Sequence, residues 1–344
     1  MKITKQHLTH IIKEELEYVL KEEEPVTAEP GAAASEPAKI SWDMDYVQFV
    51  KTLGAYAADT KVRAFIAAGL KDTAGEADDM FAFGAPTYYP VASLRPTQSE
   101  IDVNKSLKFP MADEPEKFIT YLKNPGGDYT IKAPIVIYNG EFVIDGHHRW
   151  SGLYCCDRTA KIQAVNITTK TPLDPIDILK AVQASIAIQT KSVPTQSVEG
   201  ANLFNMSDGE LKGWLNKTVK PESLELWAGA LGGIEQLNNR LIQLTGEKEK
   251  PNKNSINEIG SMEIAVLLAS LSNYLWANIS QLQTKSSPAE GAPVRNFMPQ
   301  TDDVDYQEPL KGGHIDIADP HARAVEEAVN ESYNKMKKLA GLIG

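Results

Sequence analysis

The stretch that most constrains this chain is Phe142-Val-Ile-Asp-Gly-His-His-Arg-Trp150, where an apolar strand signal runs into Asp145-Gly146 and a helix begins at once. The amides of about Gly146 to Trp150 then point outward from a helix N-terminus, where they have no partner within the helix. That arrangement suits an anion. Gly146 permits close backbone approach, His147 and His148 can donate hydrogen bonds, and Arg149 carries a fork matched to a phosphate. The same residues also fit a plain strand-to-helix turn, with Asp145 as the cap and Arg149 in a surface ion pair. Just upstream, the apolar runs Ile135–Tyr138 and Phe142–Ile144 are separated by Asn139-Gly140, the dipeptide of a tight hairpin.

Around this hairpin the pattern predicts a small α+β unit over 88–170. Its elements are a strand at Val91–Leu94, a helix at Pro115–Leu122, the two hairpin strands, a helix at His148–Cys156 and a strand at Ile162–Ile167. Residues 40–87 read as packing helices, two short ones separated near Ala58 to Thr60, with Tyr46, Phe49, Val50, Leu53, Val62, Phe65 and Ile66 as their apolar positions. Residues 171–285 read as a helical region. It holds a helix over 174–189 and a hairpin of two long helices over 222–245 and 258–284, with Ala228, Gly229, Gly232 and Gly233 allowing the two to approach closely. Residues 286–344 read as an irregular acidic strap followed by a helix over 320–342. At the other end, 1–39 reads as an amphipathic helix over 3–23 and a Pro-bearing flexible tether. Trp214 and Trp227 sit on helical stripes and are expected in the core, whereas His314 and His321 are expected at the surface.

Charge narrows the function classes. The 344 residues carry 35 Lys and Arg against 46 Asp and Glu, a net of −11, so the chain as a whole repels nucleic acid and anionic membrane. Most of that acid lies in two extensions, 1–37 with −4 and 286–320 with −5, which are expected to be solvated and outside the central fold. Segment 94–170 has ten Lys and Arg against nine Asp and Glu, poor support for tight DNA binding. Two adjacent cysteines, Cys155 and Cys156, cannot build a disulfide framework and fit a reducing, cytoplasmic compartment. The longest uncharged stretch, Ile264–Thr284, is interrupted by Ser, Asn and Gln and reads as a buried helix rather than a membrane span.

A second polar segment, Leu94-Arg-Pro-Thr-Gln98, followed by Glu100, Asp102 and Lys105, ends the first strand about 50 residues before the histidine pair. Taken with Pro134-Ile-Val-Ile137, the Gly140-to-Trp150 box and Ile162-Gln-Ala-Val165, it resembles the ParB/sulfiredoxin superfamily over roughly a quarter of the chain. The resemblance implies a small mixed sheet with nucleotide phosphates lying on the helix N-terminus. It implies a site made of Thr97, Gln98, Lys105, Gly146, His147, His148, Arg149 and Trp150, a nucleotide ligand (CTP, ATP or ADP) with Mg²⁺, and NTP hydrolysis or phosphoryl transfer as the activity to test.

Departures from the pattern matter. Where sulfiredoxins place a cysteine nucleophile this chain has His147, and Cys155 and Cys156 read as small buried residues. Where the family's serine kinases carry a carboxylate base this chain has Gln98, with Glu100 near but not aligned. Candidates for a catalytic group are therefore His147, Glu100 and Asp145. Asp145, His147 and His148 with Asp102 or Glu100 are metal-ligand types, but adjacent histidines point in different directions, so Mg²⁺ is expected to arrive with the nucleotide and not in a protein-held site. No basic recognition helix follows the box, so a partition-protein role is not expected, and a ParB-like nuclease is the third choice.

The opening Met1-Lys-Ile-Thr-Lys5 with Leu8, Ile11, Ile12 and Leu16 looks like a leader found on proteins of tailed phages. Ile12-Lys-Glu14 and Leu20-Lys-Glu22 match the apolar-x-Glu pattern that prohead proteases cleave. That resemblance implies a phage-encoded protein of the host cytoplasm or the virion, with a protein partner engaged through the N-terminal helix or the acidic strap. The competing expectation is thus a non-catalytic virion or assembly protein that uses the same fold as a docking module.

Overall fold

The structure, a computed structural model, describes residues 40, 44–59, 81–169, 172–194, 200–246, 261–301, 304–307 and 310. Chain contacts divide the protein into Met1–Lys39 and Ile40–Gly344, and all described residues belong to the second unit. The N-terminal helix and tether, the second packing helix, the terminal helix, His314 and His321 lie outside the described residues.

In chain order the elements are α1 (Tyr46–Tyr56), β1 (Phe81–Phe83), β2 (Thr87–Pro90), a 3-10 turn (Val91–Ser93), β3 (Arg95–Pro96), α2 (Val103–Lys108) with a π turn (Phe109–Asp113), and α3 (Pro115–Lys123). There follow β4 (Asp128–Tyr129), β5 (Ile135–Tyr138), β6 (Phe142–Asp145), α4 (His147–Cys156), β7 (Lys161–Thr169) and α5 (Pro175–Thr190). The rest is α6 (Asp208–Thr218), α7 (Pro221–Leu231), α8 (Ile234–Thr245), α9 (Ser261–Lys285) and a 3-10 turn at Arg295–Phe297.

The fold is α+β, with a mixed sheet built on β7. Antiparallel β1 and β2 pair with β7, as do parallel β5 and β4, and the order continues β5-β6-β3. Asn139 and Gly140 both take positive φ, 49° and 69°, and the Glu141 amide donates to the Tyr138 carbonyl at 3.0 Å. This is the tight turn the dipeptide predicts, with the hand that matches strand twist. Every residue of β5 is buried because both sheet faces are covered. Ile135, Ile137 and Val143 face a core shared with α2, α3, α4 and α6–α9, whereas Val136, Tyr138 and Ile144 face α1 and α5. Strand alternation thus assigns the helices to two layers.

Two expected elements differ. Val91–Leu94 is not a strand: its first three residues form the 3-10 turn, and only Arg95–Pro96 pairs, parallel, with Phe142 and Val143 of β6. Pro90 and Pro96 lack the N–H that a longer ladder would need. The expected single helix over 222–245 is two, because Gly232 and Gly233 adopt φ of 96° and 127°. Those glycines end α7 and start α8, so they break a helix where close helix approach was expected. Helix α6, which the sequence expectation marked only by the helical stripe of Trp214 and gave no bounds, is announced by Ser207-Asp-Gly-Glu210, whose side chains form a reciprocal capping box.

Helix α4, which starts at the histidines, is held at its far end by α9: Asn278 donates to the Cys155 carbonyl at 2.8 Å and the Tyr274 hydroxyl bonds the Cys156 carbonyl. These contacts satisfy carbonyls a helix C-terminus leaves open. Trp227 is buried as expected, its Nε1 donating to the Pro115 carbonyl at 2.7 Å, while Trp214 is half-buried and donates to Asn104 Oδ1 at 2.8 Å. No helix among the described residues is long and apolar enough to cross a membrane.

The strap is irregular as expected, but its described part is not a solvated extension. Arg95 Nε donates to the Ser287 carbonyl at 3.1 Å, the Ala289 amide to Pro96 at 2.9 Å, and the Ser99 amide to Pro293 at 2.9 Å. Ala289 and Met298 are buried. The strap lies along β3 and the segment after it because these residues leave backbone groups that need partners.

Candidate functional site

Strand β6 ends at Asp145, Gly146 turns with φ 90° and ψ 26°, and α4 begins at His147. A cleft of about 540 Å³ opens over this turn. Its walls are Gly146, His147, His148 and Arg149 on one side, Gln98, Lys105 and the Phe109–Pro110 turn on another, and Arg295 and Met298–Thr301 from the strap. Gly152 lets α2 come close: a Cβ there would collide with the Ser106 carbonyl oxygen, and the hydroxyls of Ser106 and Ser151 meet at 2.9 Å. That approach brings Lys105, near the end of α2, to the start of α4.

The structure gathers most of the expected residues, in altered roles. Gln98, Lys105, Gly146, His147, His148 and Arg149 all line the cleft. Thr97 and Trp150 do not. Thr97 is fully buried, its hydroxyl donating to the Val143 carbonyl at 2.7 Å. Trp150 is fully buried too, with Nε1 donating to the Val91 carbonyl at 2.9 Å and its amide to Gly146 at 3.0 Å, so neither donor is left for a ligand. Asp145 is no helix cap: it accepts from Thr301 Oγ1 at 2.8 Å and lies 3.6 Å from Arg149 Nη2. Arg149 also donates to the carbonyls of Ala133 at 2.7 Å and Pro134 at 3.3 Å, so its fork is partly engaged by its own chain. Of the other candidates, Glu100 is turned to the Arg295 amide at 3.1 Å. Asp102 caps α2 at Asn104, 2.7 Å, and takes the Gly200 amide at 3.0 Å. Cys155 and Cys156 are buried and burial raises both thiols, which leaves them unreactive.

Both histidines are neutral at pH 7. The Thr97 amide points at His147 Nε2 at 3.3 Å, making that nitrogen an acceptor. Burial, then the neighbouring His148 and Arg295, holds His147 well below the usual histidine range. Burial, then Arg295 and Lys105, takes His148 down to about 3. An unfolded histidine titrates near 6.5, so below that pH the unfolded chain takes up protons the folded chain refuses, and stability falls as pH drops from 6.5 toward 3. Going from pH 7 to about pH 5 should cost about 2 kcal/mol through His148, and His147 acts in the same direction. Urea unfolding of wild type and His148→Asn at the two pH values checks this, the variant being expected to lose less on acidification.

Two cations of the cleft escaped the sequence reading. Lys132 has a positive φ of 61° and sets its ammonium 5.5 Å from the Phe109 ring centroid. Arg295 comes from the strap, some 150 residues beyond the histidines, and no local pattern links the two. Among the described residues no three His, Cys, Asp or Glu side chains gather as a metal site. Comparison of the chain with protein-family models, with characterised proteins and with solved structures returned no match.

Proposed function

We propose that this cleft binds a phosphate-bearing small molecule, a nucleotide by the resemblance of residues 88–170 to the ParB/sulfiredoxin superfamily. One observation carries the reading: Lys105, Lys132, Arg149 and Arg295 converge with the open amides of α4 on a cleft whose one lining carboxylate, among the described residues, is Asp145. The volume, about 540 Å³, falls in the range of small-molecule sites. The mixed sheet and the helix starting at the Asp-Gly-His-His-Arg box are what the resemblance implies, and they support it.

Binding is better supported than turnover. Gln98 replaces the carboxylate base, Glu100 is held by the Arg295 amide, and His147 is tied to Thr97. With a single lining carboxylate, Mg²⁺ is expected to enter with the nucleotide. Calorimetry with CTP, ATP, ADP and GTP tests the proposal, and an NTPase assay on the same samples reports hydrolysis. Arg149→Ala should weaken the best ligand by roughly 10- to 150-fold, the worth of about 1.5–3 kcal/mol for a hydrogen bond to a charged group. If the wild type binds none of the four, the reading fails and the docking-module alternative takes its place.

A further inference from the structure

Gln98 sits in the cleft wall with no exposed surface. Its amide nitrogen donates to the Glu100 carbonyl, which fixes Oε1 as the free end. That oxygen is buried and has no hydrogen-bond partner among the described residues. A second cleft atom, His148 Nε2, is in the same condition. A buried polar atom without a partner costs about 1–3 kcal/mol, so two at one site call for a specific explanation. A phosphate oxygen can accept from His148 Nε2 where that nitrogen carries the ring proton, but it cannot answer the Gln98 oxygen. A phosphate dianion has no proton to offer Gln98, and the cations already suit its charge.

We infer that the cleft selects a phosphorylated compound that also carries a hydroxyl or amino donor, and that Gln98 Oε1 accepts from that donor. This rests on the proposed phosphate reading and adds a second requirement to it. The cationic end, Lys105, Lys132, Arg149 and Arg295, takes the phosphate. Gln98 discriminates, because a ligand lacking the donor leaves its oxygen unpaired. The donor has two sources within a nucleotide, the base amine or the sugar hydroxyls, and the two are separable.

The test is isothermal titration of the full chain with matched pairs. ATP against purine riboside triphosphate removes the exocyclic base amine without adding a ring N–H, and ATP against its 2′,3′-dideoxy form removes the sugar hydroxyls. Tripolyphosphate reports the cationic end by itself. In at least one pair the donor-bearing member should bind about 5- to 150-fold more tightly, the fold-change matching an unpaired buried acceptor. Gln98→Met, close in volume but without the acceptor, should bring that ratio to about one. If tripolyphosphate binds but neither pair shows a difference, the selectivity inference is overturned while the phosphate reading stands. A ratio that survives Gln98→Met overturns the role of Gln98. If nothing binds, tripolyphosphate included, both fall. The wild-type ratios need no variant, so a Gln98→Met chain that fails to fold leaves the inference open to refutation.

Discussion

Replacing Gly146 by alanine should destabilise the protein by about 2–6 kcal/mol, from two separate costs. The first is conformational. Gly146 has φ 90°, a region where a residue with a Cβ is strained by about 1–3 kcal/mol. The second is steric. A Cβ built there would stand 2.5 Å from Ile135 Cγ2 and 2.9 Å from Ile135 Cβ, on a buried strand in the middle of the sheet, and 3.0 Å from Arg149 Nη2. Ile135 has no room to retreat, because it is fully buried between the sheet and α4. Overpacking of that kind costs about 1–3 kcal/mol. Urea denaturation measures the sum, and an unchanged midpoint with an unchanged slope would refute this account of the turn. Any relief found by moving the α4 start would shift its amides and Arg149, so ligand binding should weaken along with stability.

Trp150→Ala should cost about 3–5 kcal/mol, the range for removing a fully buried large aromatic side chain. The indole is fully buried, meets Tyr154 edge-on at 5.9 Å between ring centroids, and donates to the Val91 carbonyl at 2.9 Å. The substitution would empty the space beneath the 3-10 turn and leave that carbonyl without its partner. The functional contrast with Gly146 is the informative part. Trp150 lies beneath the cleft and does not line it, so the folded fraction of Trp150→Ala should bind within a few-fold of wild type at low temperature. Loss of binding out of proportion to loss of folded protein would return Trp150 to the ligand side of the helix.

Local patterns explain which features were legible in the sequence. Asn139-Gly140 specifies its turn by itself, since few other residues take two positive φ values in succession. The strand-glycine-helix junction at 142–147 was readable for the same reason. By contrast, Gly232-Gly233 appeared as part of one continuous apolar stripe, and periodicity alone does not register a break when the stripe resumes in phase on the next helix. The start of α6 carried its signal in Ser207 and Glu210, but the helix has few apolar positions to draw attention to it. At the site, the histidines and Arg149 announced themselves because they are adjacent in sequence. Arg295 and Thr301 did not, because the Arg295 amide reaches the Glu100 carboxylate across 195 residues and the Thr301 hydroxyl reaches Asp145 across 156.

The hairpin, the junction at Gly146, the chemistry offered by residues 145–149 and the placement of much of the acidic charge follow from local sequence. Each depends on neighbours within one turn or one strand, where backbone sterics and side-chain type act directly. Which of those groups remain open to a ligand depends on how the packed fold uses them. Arg149 is shared with Asp145 and two carbonyls, Thr97 and Trp150 are consumed by internal hydrogen bonds, and Gln98 keeps an unpaired oxygen. The packed fold also brings the described part of the acidic strap against the core, where Arg295 gives the cleft a further positive charge. Hydrogen-bond satisfaction is a property of the whole packed interior, so the difference between a donor in use and a donor in reserve cannot be read along the chain.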